Sequence, residues 1–156
     1  MSRPLVNDTT TQRKSSMTTA TFRDVLGRHN ITVPDETISE ITVPVLSGPQ
    51  RQGDIGIFPR EPLTPGERSQ AVTVPPEGIA VVRGEATGNT HMLSADGPVL
   101  WLEKGGDLLV GVIEVAEGST GYLIHTDEHG ANGLAPGCYR VHGKREQADE
   151  IRRVAD

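Results

Sequence analysis

Apolar and polar positions divide the chain into three regimes. Residues 1–19 are Ser, Thr, Asn and charged groups with almost no apolar content, a composition that cannot offset the entropy of ordering, and a disordered polar tail is expected there. Behind the capping-type Thr21, Phe22, Val25 and Leu26 recur at i, i+3, i+4, which predicts a short amphipathic helix within residues 20–30. The period then falls to two. Ile38, Glu40 and Thr42 alternate with Ile41, Val43 and Val45, and Pro44 marks that extended segment as an edge strand or a bulge.

Short strands with turn signals between them follow. The turn Gln52-Gly53-Asp54 leads into a strand from Ile55 to Phe58 that Pro59 stops, and Arg60 to Ser69, with Pro62, Pro65 and Gly66, reads as a loop. Further strands are expected at 72–74, 78–82, 90–93, 99–102, 108–115, 122–125 and 138–142, a spacing that belongs to β-sandwiches and barrels. The last element, 145–154, reads as a charged helix anchored by Ile151 and Val154. The expected fold is mainly β: a small antiparallel β-barrel or sandwich over 38–142 with a short N-terminal helix and a charged C-terminal helix, together one domain over 20–156. Val81, Leu100, Trp101, Leu109, Val112, Leu123 and Tyr139 are the expected core.

Composition narrows the function classes. The chain has 156 residues, enough for one core but not two. Eighteen glycines and eleven prolines suit many turns, and aromatic content of 3% implies an aliphatic core. A net charge of −6 argues against a nucleic-acid surface, because phosphate contacts need clustered Lys and Arg; Lys144-Arg145 and Arg152-Arg153 are interleaved with Glu146, Asp149 and Glu150. The single Cys138 excludes an internal disulfide and fits a reducing compartment. No apolar run approaches the ~20 residues that a membrane helix needs. A cytoplasmic protein with no nucleic-acid or membrane partner is expected.

Candidate chemistry concentrates in residues 121–130, where an apolar run precedes His125, Asp127, Glu128 and His129. His125-Thr126-Asp127-Glu128-His129 matches the H-x-x-E-H string of inverzincin metalloproteases, whose chemistry requires a helix. A β-like run precedes it and Gly130, Asn132 and Gly133 follow, so the string reads instead as a strand end and a polar loop. His91, from another strand, then completes a candidate metal set of His91, His125, Glu128 and His129, since neutral imidazole suits Zn, Fe, Ni or Cu. Cys138, in Pro136-Gly137-Cys138-Tyr139, reads as a small core residue entering a strand, and His29 and His142 as surface residues.

Two resemblances follow from these residues. Gly53-Asp54 with Pro59, and Gly84-Glu85-Ala86-Thr87-Gly88 with His91, resemble fragments of the two cupin motifs, although their order is reversed and Asn89 stands where a cupin has a His. That likeness implies one divalent transition metal ion in a small β-fold. The segment 84–88 with His91, His125, Glu128-His129, Pro136-Gly137, Tyr139-Arg140-Val141 and the ending 151–156 resembles an uncharacterised family of small bacterial and phage-associated β-proteins over about 53–156, with no assigned activity. Two functions are therefore expected in order. The first is an accessory or structural protein-interaction domain without catalysis or cofactor, assembling with itself or on a larger complex; the alternative is a cupin-like metal-binding protein.

Overall fold

The computed structural model describes residues 20–33, 35–83, 90–106, 108–126 and 130–143. Within them the body is two facing sheets. The elements in chain order are α1 (Phe22–Gly27), α2 (Glu36–Ser39), β1 (Val45–Leu46), β2 (Gln50–Gln52), β3 (Ile55–Arg60), α3 (Pro65–Gln70), β4 (Val72–Thr73), β5 (Ile79–Val82), β6 (His91–Asp96), β7 (Val99–Glu103), β8 (Leu109–Val115), β9 (Thr120–His125), β10 (Gly130–Leu134) and β11 (Gly137–His142). One sheet runs β1-β10-β9-β6-β5 and the other β2-β3-β11-β8-β7-β4. Every strand pairing is antiparallel except that of β1 with β10. Each sheet keeps two open ends among the described residues, so the body is sandwich-like and not a closed barrel.

Alternation along the strands builds three apolar layers. Ile55, Ile57, Leu93, Trp101, Ile113, Leu123, Tyr139 and Val141 point between the sheets and form the main core. Their neighbours point outward. On the five-stranded sheet, Tyr122 and Ile124 meet Val25 and Leu26 of α1, which are fully buried. Each of those two contacts stabilises the docked helix by ~1.5–3 kcal/mol. The helix starts as the sequence dictates, with a capping box in which Thr21 accepts from the Asp24 amide and the Asp24 carboxylate accepts from the Thr21 amide. On the six-stranded sheet, Leu63 packs with Leu102, Val112 and Cys138 under the 61–64 connection. The carboxylate of Glu114 fixes that connection by accepting from the Leu63 amide at 3.0 Å and pairing with Arg68.

Several expectations are corrected. Residues 36–39 form a helical turn rather than a strand, and Ile38 and Ile41 of the supposed alternation are exposed, so their apolar character marks no buried face. Extended structure in this region is confined to the Thr21–Thr42 bridge and β1. β3 continues through Pro59, which pairs with Tyr139; β2 covers only Ile55 to Ile57, so the missing N–H of Pro59 interrupts no ladder on that side. The expected loop 60–69 contains α3, capped by Thr64 and Glu67 with Pro65 in the first turn. β10 is a strand where a polar loop was expected, and β2, which no expected strand covered, leads into the expected turn at Gly53-Asp54. Leu100 and Leu109 are only half-buried, whereas Val81, Trp101, Val112, Leu123 and Tyr139 lie in the core as expected. The expected tail over 1–19 and the charged helix over 145–154 lie outside the described residues.

Candidate functional site

Register brings two of the nominated histidines together. β6 and β9 pair so that Leu93 faces Leu123 and His91 faces His125, two positions further along the same inward face. The Thr126 amide donates to the Thr90 carbonyl at 3.1 Å, which makes His91 and His125 the closely spaced, non-hydrogen-bonded kind of antiparallel pair. Their rings stack with centroids 4.4 Å apart and planes 8° from parallel. Both are almost wholly buried, at 3% and 4% exposure. The pair closes the end of the main core, and the two-residue turn between β2 and β3 lies over it. Gly53 in that turn has φ +57°, and a Cβ there would stand 3.3 Å from His125 Cε1. Both its backbone and the imidazoles beneath it therefore favour glycine.

Side-chain amides hold this end shut. Gln52 Oε1 accepts from His91 Nδ1 at 2.8 Å, while Gln52 Nε2 donates to the Leu123 carbonyl at 2.6 Å and to Asn132 Oδ1 at 2.8 Å. Asn132 Nδ2 in turn donates to Gln50 Oε1 at 3.1 Å and to the Arg51 carbonyl at 3.3 Å, and Gln50 Nε2 donates to the Gly133 carbonyl at 2.9 Å. Three backbone carbonyls thus anchor three amides. The network ties β2 of one sheet to β9 and β10 of the other across the sandwich. None of these amides was nominated from the sequence. The available signal was Gln50-x-Gln52 ahead of a Gly-Asp turn, which puts two amides on one face of a strand.

The arrangement limits what the two imidazoles do jointly. A ring nitrogen's lone pair lies in its ring plane, so an ion held by both rings must lie in both planes at about 2.0–2.1 Å from each nitrogen. Stacked planes 8° from parallel do not meet within that reach. His91 and His125 are therefore adjacent but, as placed, do not converge on one ion. Glu128 and His129 lie outside the described residues. Among the described residues no group of three or more His, Cys, Asp or Glu is arranged to hold a metal. His125 ends a strand, and the helix needed by the protease string is not formed at that residue.

The other nominated groups lie elsewhere. Cys138 packs on the outer face of the six-stranded sheet, where burial pushes its thiol up to about 11. It borders a groove of about 610 Å³ whose two arginines are paired, Arg60 with Glu67 and Arg68 with Glu114. A thiol so protonated is a poor nucleophile. Native protein at pH 7.5 is expected to resist iodoacetamide, with alkylation at Cys138 appearing only on denaturation; mass spectrometry of the two samples checks this. His29 is partly buried rather than on the open surface, with Nε2 2.9 Å from Ser94 Oγ, and burial lowers its pKa. His142 meets Phe58 edge-on at 5.3 Å.

No helix among the described residues is long and apolar enough to cross a membrane. No curated protein and no solved structure matches the chain. One family model does, over residues 51–144, and its span runs from within β2 to just past β11. It takes in the stacked histidines, Gln52 and Asn132. On that match, which extends over more than half of its length, the chain belongs to the family described as domain of unknown function DUF8820.

Proposed function

We propose that the chain is a non-catalytic protein-interaction domain of a reducing compartment such as the cytoplasm, taking strands of another polypeptide on its sheet ends. One observation carries the reading. Each sheet terminates in a strand of only two residues that bears an exposed aliphatic side chain: Leu46 on β1, 50% exposed, and Val72 on β4, 52% exposed. Ile38 and Ile41, also exposed, lie in the segment leading to β1. Terminal strands offer backbone groups to an added strand, and proteins without such partners commonly place charge there instead. Sedimentation of the full chain at micromolar concentration tests the proposal. The expected result is a concentration-dependent oligomer that a Leu46→Lys/Val72→Lys variant reduces to monomer. An oligomer unchanged by the variant, or a monomer that recovers no partner in a pulldown, counts against it.

A second reading has its own support. The Gln52 contact to His91 Nδ1 resembles the outer-shell hydrogen bond that orients imidazoles which bind metals through Nε2. A cupin-like site using His91, His125, Glu128 and His129 would require the two stacked rings to turn apart. Metal analysis of untagged protein, repeated on His125→Ala/His129→Ala, tests it: stoichiometric metal lost in the variant supports the reading, and metal-free wild-type protein removes it.

A further inference from the structure

We infer that Asn132-Gly133 is a self-modification site: the Asn132 carboxamide converts to a carboxylate through a cyclic imide when β10 leaves its partners, and the folded sandwich keeps the pair unreactive.

Two separate demands of the fold put these residues side by side. Position 133 requires glycine, because a Cβ there would stand 2.6 Å from the Pro44 carbonyl oxygen and 2.9 Å from Val45 Cγ2, where β1 closes on β10. Position 132 requires a side chain that donates to Gln50 Oε1 and the Arg51 carbonyl while accepting from Gln52 Nε2, as a carboxamide does. The result is the one Asn-Gly sequence in the chain. Such a pair is chemically labile. Glycine leaves its own nitrogen unhindered and its backbone free to bend toward the preceding side chain. Base removes the Gly133 amide proton and the nitrogen attacks Asn132 Cγ. The N–Cγ bond forms, the Cγ–Nδ2 bond breaks, and ammonia leaves with a proton taken from solvent. Water then opens the five-membered imide at either carbonyl, which leaves aspartate or its β-linked isomer at 132.

The sandwich holds the reacting atoms apart. The Gly133 N–H lies in the plane of the sheet and donates to the Pro44 carbonyl at 3.1 Å, which engages the proton that base must remove. The Asn132 side chain stands out of that plane toward β2, where two hydrogen bonds tie its Nδ2. The weak point is β1, a strand of two residues at the end of its sheet. Opening of that end frees the Gly133 amide, so conversion follows the population of the opened form. A carboxylate at 132 then faces the Gln50 and Arg51 oxygens with no hydrogen to offer, and the tie between β2 and β10 is cut.

Peptide mass spectrometry of the full chain, incubated in mildly alkaline buffer with and without urea, tests this. Conversion at Asn132 is expected in urea, and without urea it should be slower by on the order of tenfold or more. Native conversion as fast as that in urea overturns the protection, and an Asn132 that survives in urea overturns the lability; neither measurement needs a variant to fold. Gln50→Leu removes an acceptor of Asn132 and the donor to the Gly133 carbonyl. It is expected to speed native conversion severalfold and to leave the urea rate unchanged, whereas a wild-type native rate overturns the restraint by the amides. Asn132→Asp, which carries the product's carboxylate, should lower the urea midpoint or abolish folding. A wild-type midpoint overturns the claim that the modification unties β2 from β10.

Discussion

Gly111→Ala is expected to destabilise the domain by about 1–3 kcal/mol, the cost of forcing a methyl group into a filled core. Gly111 lies in β8 opposite Glu103 of β7 and Val141 of β11, at the centre of the six-stranded sheet. A Cβ there would run into the Trp101 ring and stand 2.7 Å from the Leu102 carbonyl oxygen. The indole has little freedom to yield, because it is 4% exposed in the main core and its Nε1 donates to Glu103 at 3.0 Å. Relief therefore requires β7 and β8 to separate or the ring to leave its place. Trp101 is the single tryptophan of the chain, so its fluorescence reports this packing without interference. Urea unfolding followed at that signal should give a lower midpoint and a shifted native emission maximum. A wild-type midpoint would mean that the indole does not lie over Gly111.

Gln52→Leu is expected to cost about 3 kcal/mol, with about 1–3 kcal/mol for each buried polar group left without its partner. The leucine fills comparable space but removes three hydrogen bonds, from His91 Nδ1 and to Leu123 O and Asn132 Oδ1. Its effect should depend on His91. In a His91→Leu/Gln52→Leu double variant the imidazole no longer needs an acceptor, and the combined loss should fall short of the sum of the single losses by about 1 kcal/mol. Additive losses, measured by the same unfolding experiment, would show that the two side chains do not interact.

The strands that were legible in the sequence are those whose apolar alternation reflects burial. Val99 to Glu103, Leu109 to Val115 and Gly137 to His142 place bulky groups on both faces because both faces of the six-stranded sheet are covered at their centre. β10 escaped notice because Gly130, Asn132 and Gly133 are turn formers, and what makes them a strand is pairing with β9 and the amide contacts of Asn132, both long-range. α2 was misread for the opposite reason: Ile38 and Ile41 carry an apolar period in a segment that leaves them exposed.

The site was half legible. His91 and His125 were nominated for their chemistry, and the register of β6 on β9 does bring them together. Neither the parallel stacking of their rings nor the three amides that brace one of them could be read from residue spacing. Those features depend on how β2 from one sheet lies against β9 and β10 of the other. The sharpest motif, His125 to His129, read from the sequence as a strand end rather than a helix, and His125 does end β9. The exposed aliphatics at the sheet ends, on which the interaction reading rests, were equally hidden, since Leu46 and Val72 resemble core residues until the strand order is known.

Hydrogen exchange of the full chain, compared between dilute and concentrated solutions and between protein alone and protein with any partner recovered, tests the interaction reading most directly. Slowed exchange confined to the backbone of Val45–Leu46, Val72–Thr73 or both is the predicted result, because an added strand hydrogen-bonds at those ends. Unchanged exchange at both ends upon association, with protection arising elsewhere, would contradict it.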